Sequence, residues 1–303
     1  MNKLKKDVIA KIETFNIGDH YSNMAVIDLN EKVFSIRFSK KDLNNFEIGK
    51  AYLFKVNVEE LEDRTIHTLI KAELIEDALD EETLSEVLPK LYKYAPISRK
   101  DMRKGIEGYL NKITNKNIKL ITNELYKKYQ SKFYVHPAAT KMHHAYVGGL
   151  AHHTLSMLNL VDSFIKVYPY LKKDVLYAGI ILHDLGKIDE MTGVDGEYTK
   201  EGQLIGHLVG LAIEIEKVAI KHNIEDSEEV LILKHIAISH HGLPHYGAAK
   251  RPQTAEALLI WYLDTIDSKL GPLGDEFDET AEGEFTNSLN VLDRIKFYKD
   301  KIK

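Results

Sequence analysis

The chain of 303 residues carries 41 Lys and Arg against 46 Asp and Glu, a formal net charge of −5, with 44% hydrophobic residues and no cysteine. Such a chain can bury a full core in about two domains, at roughly 100–200 residues per domain, and its acidic balance argues against nucleic-acid binding over the whole surface. The missing cysteines exclude disulfides, thiolate zinc sites and cysteine nucleophiles, so a metal here has to sit on imidazole and carboxylate.

The N-terminal residues MNKLKKDVIAKIETF are charged and amphipathic without an apolar leader core. No run approaches the roughly 20 apolar residues of a membrane span, which leads us to expect a cytoplasmic protein with no membrane partner. From residue 7 to about 75 the text alternates apolar and polar in short runs, VFSIRF (33–38), AYLFKVNV (51–58) and RTIHTLIKAEL (64–74), with turn signals at Gly18-Asp19, Asn30 and Gly49. Period-two alternation of this length predicts small antiparallel strands closing into a barrel. After residue 80 nearly every segment has helical spacing, most strongly at 149–168, 174–183, 203–221, 228–240 and 254–270. The expected fold is therefore α+β and multidomain: a small β-barrel over 1–80, a helical connector over 81–130 and an all-α domain over 131–303. The basic, tyrosine-bearing stretches at 97–120 and 126–134 read first as solvated helix faces.

Most of the 14 histidines fall in the helical part, and the stretch GIILHDLGKI (179–188) sets His183 and Asp184 side by side in otherwise apolar text. A buried carboxylate or imidazole costs several kcal/mol, on the order of the transfer penalty for an unpaired polar group, unless something compensates it, and a metal ion uses both residue types at once. The rest of the chain supplies further candidates: His152 and His153 in GGLAHHTLSML, His207 in IGHLVGLA, His240 and His241 in ISHHG, and Asp264 and Asp267 in LIWYLDTIDSKL. Each group belongs to a different expected helix, which is how helical proteins assemble metal sites at a shared centre.

In its order of a histidine, an adjacent His-Asp pair and a distal aspartate, the chain resembles the HD superfamily of metal-dependent phosphohydrolases: HHTLSM at His153, HDLGK at His183 and Asp184, YLDTIDSK at Asp264. GHLVG and SHHG further resemble the extended form of that superfamily. HHAYVGGLAHHTLSM (143–157), HDLGKI, GHLVG, SHHG and RPQTAEALLIWYLDTIDSKL together resemble the YhaM-type 3′-to-5′ exoribonucleases, which join an N-terminal OB-fold to an HD domain. The strand-rich segment sits where that OB-fold belongs. It departs from the family in having NEKVFSIRFSKKDL where a glycine-rich, Trp-ended strand motif stands, and the single tryptophan, Trp261, lies elsewhere.

The resemblance implies that His153, His183, Asp184 and Asp264 hold one divalent ion and that His207, His240 and His241 hold a second, with Asp184 reaching both. Mn²⁺ is the ion expected, while Fe, Mg²⁺ and Zn²⁺ suit the same ligands. Asp184 and Lys187 are the candidate catalytic residues, Lys187 either pairing with a phosphate oxygen or capping a helix end. His143 and His144 are candidates for binding substrate, and Asp267 for orienting a ligand histidine. In the barrel, Arg37 and Lys41, with Lys40 and Lys55, are candidate phosphate-binding residues. Phe34, Phe38, Tyr52 and Phe54 are read first as barrel core and second as a stacking platform. The implied activity is hydrolysis of single-stranded RNA, with DNA as a further substrate, to nucleoside 5′-monophosphates. Two other readings stay open: a hydrolase of a small nucleotide or cyclic dinucleotide, and a non-catalytic nucleic-acid-binding regulator.

Overall fold

In the computed structural model, which describes residues 4–18, 21–61, 64–139, 145–193 and 197–302, alternation in the N-terminal text becomes five strands. They are β1 (Leu4–Ile17), β2 (Ser22–Asp28), β3 (Val33–Phe38), β4 (Ala51–Glu60) and β5 (Thr65–Leu74), closed into a barrel in the order β1-β2-β3-β5-β4. Pairing is antiparallel except where β3 meets β5 at Ile36 opposite His67 and Arg37 opposite Thr68. Closure depends on β1 being long enough to pair with β2 through its C-terminal half and with β4 through its N-terminal half, with a register shift between Ile12 and Thr14 that bends it. The order and the closure meet the expectation of an OB-like barrel.

Period two puts Ala10, Ile12, Met24, Val26, Ile36, Phe38, Tyr52, Phe54, Val56 and Val58 inside the barrel. Phe38, Tyr52 and Phe54 thus fill core, as strand parity predicts, and Phe34 packs half-buried against them. Arg37 points outward, its guanidinium 4.6 Å from the Tyr21 ring, and Lys40 and Lys41 are exposed. Two helices, α1 (Ile75–Ala78) and α2 (Glu81–Leu91), complete a compact unit that ends at Tyr94.

The second unit, Ala95–Lys303, is helical. It comprises α3 (Arg99–Lys112), α4 (Lys116–Phe133), α5 (Gly149–Val167), α6 (Lys173–Leu182), α7 (Lys187–Glu190), α8 (Lys200–Leu204), α9 (Gly206–Lys221), α10 (Glu228–Ser239) and α11 (Ala255–Glu279). Starts are marked by side-chain caps: Ser98, Asn115 and Thr254 each accept a hydrogen bond from the backbone N–H three residues on. The core helix is α6, whose residues Val175–Leu182 are all buried. Gly179 makes that possible, since an added Cβ would come within 2.5 Å of Ile260 in α11 and 3.1 Å of Ile236 in α10. Around it pack α3, α4, α5, α10 and α11.

Two expected helices differ from those found. The segment expected over 203–221 is split into α8 and α9 because Gly206 takes left-handed backbone, φ +75. The segment expected over 254–270 runs on to Glu279 through Pro272, although a proline inside a helix removes one backbone hydrogen bond and crowds the carbonyl four residues back.

Candidate metal centre

The HDLG tetrapeptide lies in a turn between α6 and α7 rather than within a helix. His183 caps α6, donating its backbone N–H to the Gly179 carbonyl, and Lys187 donates its own to the Asp184 carbonyl at 3.0 Å. The turn can lie against α9 because residue 186 is glycine: a Cβ there would be 2.8 Å from the His207 carbonyl oxygen and 3.1 Å from the His207 Cβ. His207 consequently sits in the first turn of α9, facing Asp184. His153 comes from α5, His240 caps α10, His241 follows it, and Asp264 and Asp267 lie one turn apart on α11.

Five imidazoles meet here with one arrangement in common. His153 Nδ1 donates to Asp267 at 2.6 Å, His183 Nδ1 to the Ile180 carbonyl at 2.7 Å, His207 Nδ1 to Glu190 at 2.8 Å, His240 Nδ1 to the Ala237 carbonyl at 3.0 Å and His241 Nδ1 to the Tyr246 carbonyl at 2.8 Å. Carbonyl and carboxylate oxygens accept only, so each ring carries its proton on Nδ1 and is oriented to use Nε2. Nε2 of His183 is 3.3 Å from Nε2 of His153. Nε2 of His207 and His240 lie 3.4 and 3.6 Å from Asp184 Oδ1. On the other side, Asp184 Oδ2 is 3.3 Å from His183 Nε2, 3.9 Å from His153 Nε2 and 2.7 Å from Lys187 Nζ, and Asp264 Oδ1 is 3.4 Å from His153 Nε2.

These atoms form two groups that share Asp184: Asp184 with His207, His240 and His241, and Asp184 with His153 and His183, the ligating atoms of each lying within 4.8 Å of one another. Among the described residues Asp184 Oδ1, His207 Nε2 and His240 Nε2 are buried without a hydrogen-bond partner. Three orphaned acceptors aimed at one point would each cost about 1–3 kcal/mol. A divalent cation relieves all of them, so the residues present fit such an ion.

The electrostatics agree. Burial pulls the His240 and His207 imidazoles below the ordinary histidine value, and burial with the neighbouring His240 takes His241 down to about 4, so these rings are neutral near pH 7. Burial also opposes the ionised form of Asp184, but Lys187 and His183 outweigh it and hold the carboxyl well below its usual range. His153 goes the other way: burial disfavours its charge, yet Asp264 and Asp267 lift it to about 10. In the metal-free protein a proton therefore stands between the Asp264 carboxylate and His153.

The structure thus brings together His153, His183, Asp184, His207, His240, His241, Asp264 and Lys187, together with Asp267. His143 and His144 lie outside the described residues. Arg37 and Lys41 belong to the barrel unit. Glu190 was not legible as a site residue; it accepts both from His207 Nδ1 and from the His207 backbone N–H, at 2.8 and 3.1 Å. The available signal was the need of a buried imidazole ligand for an acceptor behind it.

Residues 150–269 match the sequence profile of the HD domain. The helical unit carries an HD domain. That family implies a divalent metal, and its match spans His153, Asp184 and Asp264. Over 206 residues, 68% of this chain, the sequence is 46% identical to the 3′-5′ exoribonuclease YhaM of Bacillus licheniformis and 44% identical to that of Bacillus subtilis, in each case covering 65% of the relative. A Geobacillus relative of the same name is 43% identical over 63% of its length. The chain therefore spans less than two thirds of the curated relatives it matches. A solved chain from a replication protein A heterotrimer bound to ssDNA covers 29% of this chain at a TM-score of 0.23 and 7% identity, too remote to carry an argument. Among the described residues no helix is long and apolar enough to cross a membrane.

Proposed function

We propose that the protein is a metal-dependent 3′-5′ exonuclease that hydrolyses single-stranded RNA, with DNA as a further substrate, to nucleoside 5′-monophosphates in the cytoplasm. The observation that carries this reading is the common orientation of the five imidazoles. Each has Nδ1 tied to an acceptor, and His153, His183, His207 and His240 turn Nε2 toward Asp184 or Asp264, in a domain whose relatives are named exoribonucleases.

His153, His183, Asp184 and Asp264 would hold one ion, and His207, His240 and His241 with the other oxygen of Asp184 a second; Mn²⁺ is our choice for a site of mixed imidazole and carboxylate. A divalent ion held there would supply Lewis acidity, making a water nucleophilic near neutral pH and offsetting charge on the phosphoryl oxygens. The chain's own residues do the rest. Asp184 Oδ1 faces one imidazole group and Oδ2 the other, so a single carboxylate fixes the spacing of both. Lys187, its side chain 13% exposed and 2.7 Å from Asp184 Oδ2, keeps that carboxylate ionised and sets a positive charge beside the place a phosphate would occupy. Asp267 and Glu190 hold His153 and His207 in register. No side chain is needed as a nucleophile.

The test is to incubate Mn²⁺-loaded protein with 5′-end-labelled single-stranded RNA, and separately with nucleotides and a cyclic dinucleotide, and to resolve the products. Stepwise shortening from the 3′ end with release of 5′-monophosphates is expected. Turnover of the small nucleotides alone would overturn the reading in favour of a small-nucleotide hydrolase.

A further inference from the structure

The loop that leaves the second imidazole group for α11 supplies none of the ligands. It starts at Gly242, whose left-handed backbone (φ +75) lies against the Trp261 ring so closely that an added Cβ would sit 1.9 Å from the indole. Pro244, His245 and Tyr246 make one 3₁₀ turn, closed by Gly247 at φ +96. The loop is pinned along its length: Tyr246 O accepts from His241 Nδ1 at 2.8 Å, and the backbone of Ala249 donates to Ile238 O in α10 at 3.0 Å. A segment held this firmly can hide its aromatic side chain, yet Tyr246 is 62% exposed, its ring meeting that of His245 at 4.3 Å. Lys250 and Arg251 follow, both exposed. No Asp or Glu occurs from Val230 to Ala255, in a chain whose net charge is −5.

We infer that this loop is the subsite for the terminal nucleotide of a single-stranded nucleic acid, with the Tyr246 ring stacking on the terminal base and Lys250 and Arg251 meeting the flanking phosphates. The inference rests on the exonuclease reading above. Tyr246 is tied by its own carbonyl to Nδ1 of His241, a candidate ligand imidazole, so the loop that carries its ring is anchored to the second imidazole group. Stacking on an aromatic face accepts every base, which an enzyme that removes each nucleotide in turn requires. A rigid loop also presents the ring without first having to be ordered. Phe38, Tyr52 and Phe54, read second as a stacking platform, lie in the barrel core, whereas this loop exposes an aromatic ring and two cations and carries no carboxylate of its own.

Trp261, the single tryptophan of the chain, packs at the root of the loop and gives a readout separate from turnover. A short oligoribonucleotide with non-hydrolysable phosphorothioate linkages, titrated into the full-length protein, should change the Trp261 emission saturably. The same oligonucleotide ending in an abasic 3′ residue should bind roughly fivefold or more weakly. Tyr246→Ala should erase that difference and Tyr246→Phe restore it. The abasic comparison needs no substitution and so stands even if a variant fails to fold. Equal binding of the intact and abasic strands by the wild-type protein overturns the subsite while leaving the exonuclease reading intact, provided RNA is still shortened. An undiminished preference in Tyr246→Ala overturns the assignment to that ring, and failure of the Mn²⁺-loaded protein to degrade RNA at all overturns both.

Discussion

Asp184 is the residue on which both imidazole groups depend, and its surroundings separate two variants. Asp184→Asn keeps the shape and still accepts from Lys187, but it cannot offer an anionic oxygen to each group; RNA hydrolysis should fall by on the order of a hundredfold or more while the circular dichroism spectrum stays unchanged. Asp184→Ala additionally strands the Lys187 ammonium, whose side chain is 13% exposed. Both variants break the buried ion pair from one side, at about 3–5 kcal/mol, but only the Ala variant also leaves the Lys187 ammonium without an acceptor, so in the metal-free state it should melt below the Asn variant; equal melting temperatures would mean that Lys187 finds water as easily as it finds residue 184. His153 yields a second test. Its imidazole, lifted to about 10 by Asp264 and Asp267, is charged at pH 7.5 in the metal-free protein. The stabilisation this proton gives is complete below the unfolded value of about 6.5 and is lost as pH rises toward 10. A metal ion has to displace that proton, so titration of Mn²⁺ at pH 7.5 in two buffers of different ionisation enthalpy should show release of about one proton per chain. No release would place His153 outside the ligand set.

At the level of elements, the centre depends on how closely the HDLG turn approaches α9. Gly186→Ala brings a Cβ to 2.8 Å from the His207 carbonyl oxygen, in backbone that cannot give way without moving His207 off Asp184. The expected cost is about 1–3 kcal/mol of stability, together with a drop in the second metal equivalent measured by elemental analysis. Glu190→Gln acts from behind the same imidazole: with one oxygen in place of two it can accept from Nδ1 or from the His207 backbone N–H but not from both, and it loses the charge, so metal affinity should fall about 10–100-fold while the circular dichroism spectrum stays unchanged. These two residues also mark what the sequence could reveal. Candidate ligands were legible because imidazoles and carboxylates stood in apolar helical text where nothing else accounts for them. Glu190 was hidden because a charged residue in KIDEMTG reads equally well as surface, and only the fold puts it behind His207. The barrel aromatics were legible by parity, since alternate residues of VFSIRF and AYLFKVNV must share a face. The split between α8 and α9 was not, because a glycine inside a helical pattern gives no sign of its φ until the chain around it is placed.

For the whole molecule, the division into a barrel unit ending at Tyr94 and a helical unit beginning at Ala95 separates two contributions that an exonuclease needs. All the candidate ligands lie between His153 and Asp264, inside the helical unit. A fragment beginning at Ala95 should therefore still take up metal and hydrolyse a dinucleotide. Stacking in the barrel is ruled out for Phe38, Tyr52 and Phe54, which are at most 4% exposed. What that unit presents to solvent instead is Arg37 beside Tyr21, with Lys40 and Lys41 exposed, a set suited to phosphates. Its contribution to binding should then be electrostatic and length-dependent: deleting residues 1–94 should raise KM for a long RNA far more than for a dinucleotide. The slope of log affinity against log salt should also become shallower by about 0.7 for each phosphate of the single strand that the barrel had neutralised. Arg37→Ala and Lys41→Ala in the full-length protein should each reproduce part of that change. An equal rise in KM on long and short substrates, with the salt slope unchanged, would show that the barrel steadies the helical unit and does not hold the strand.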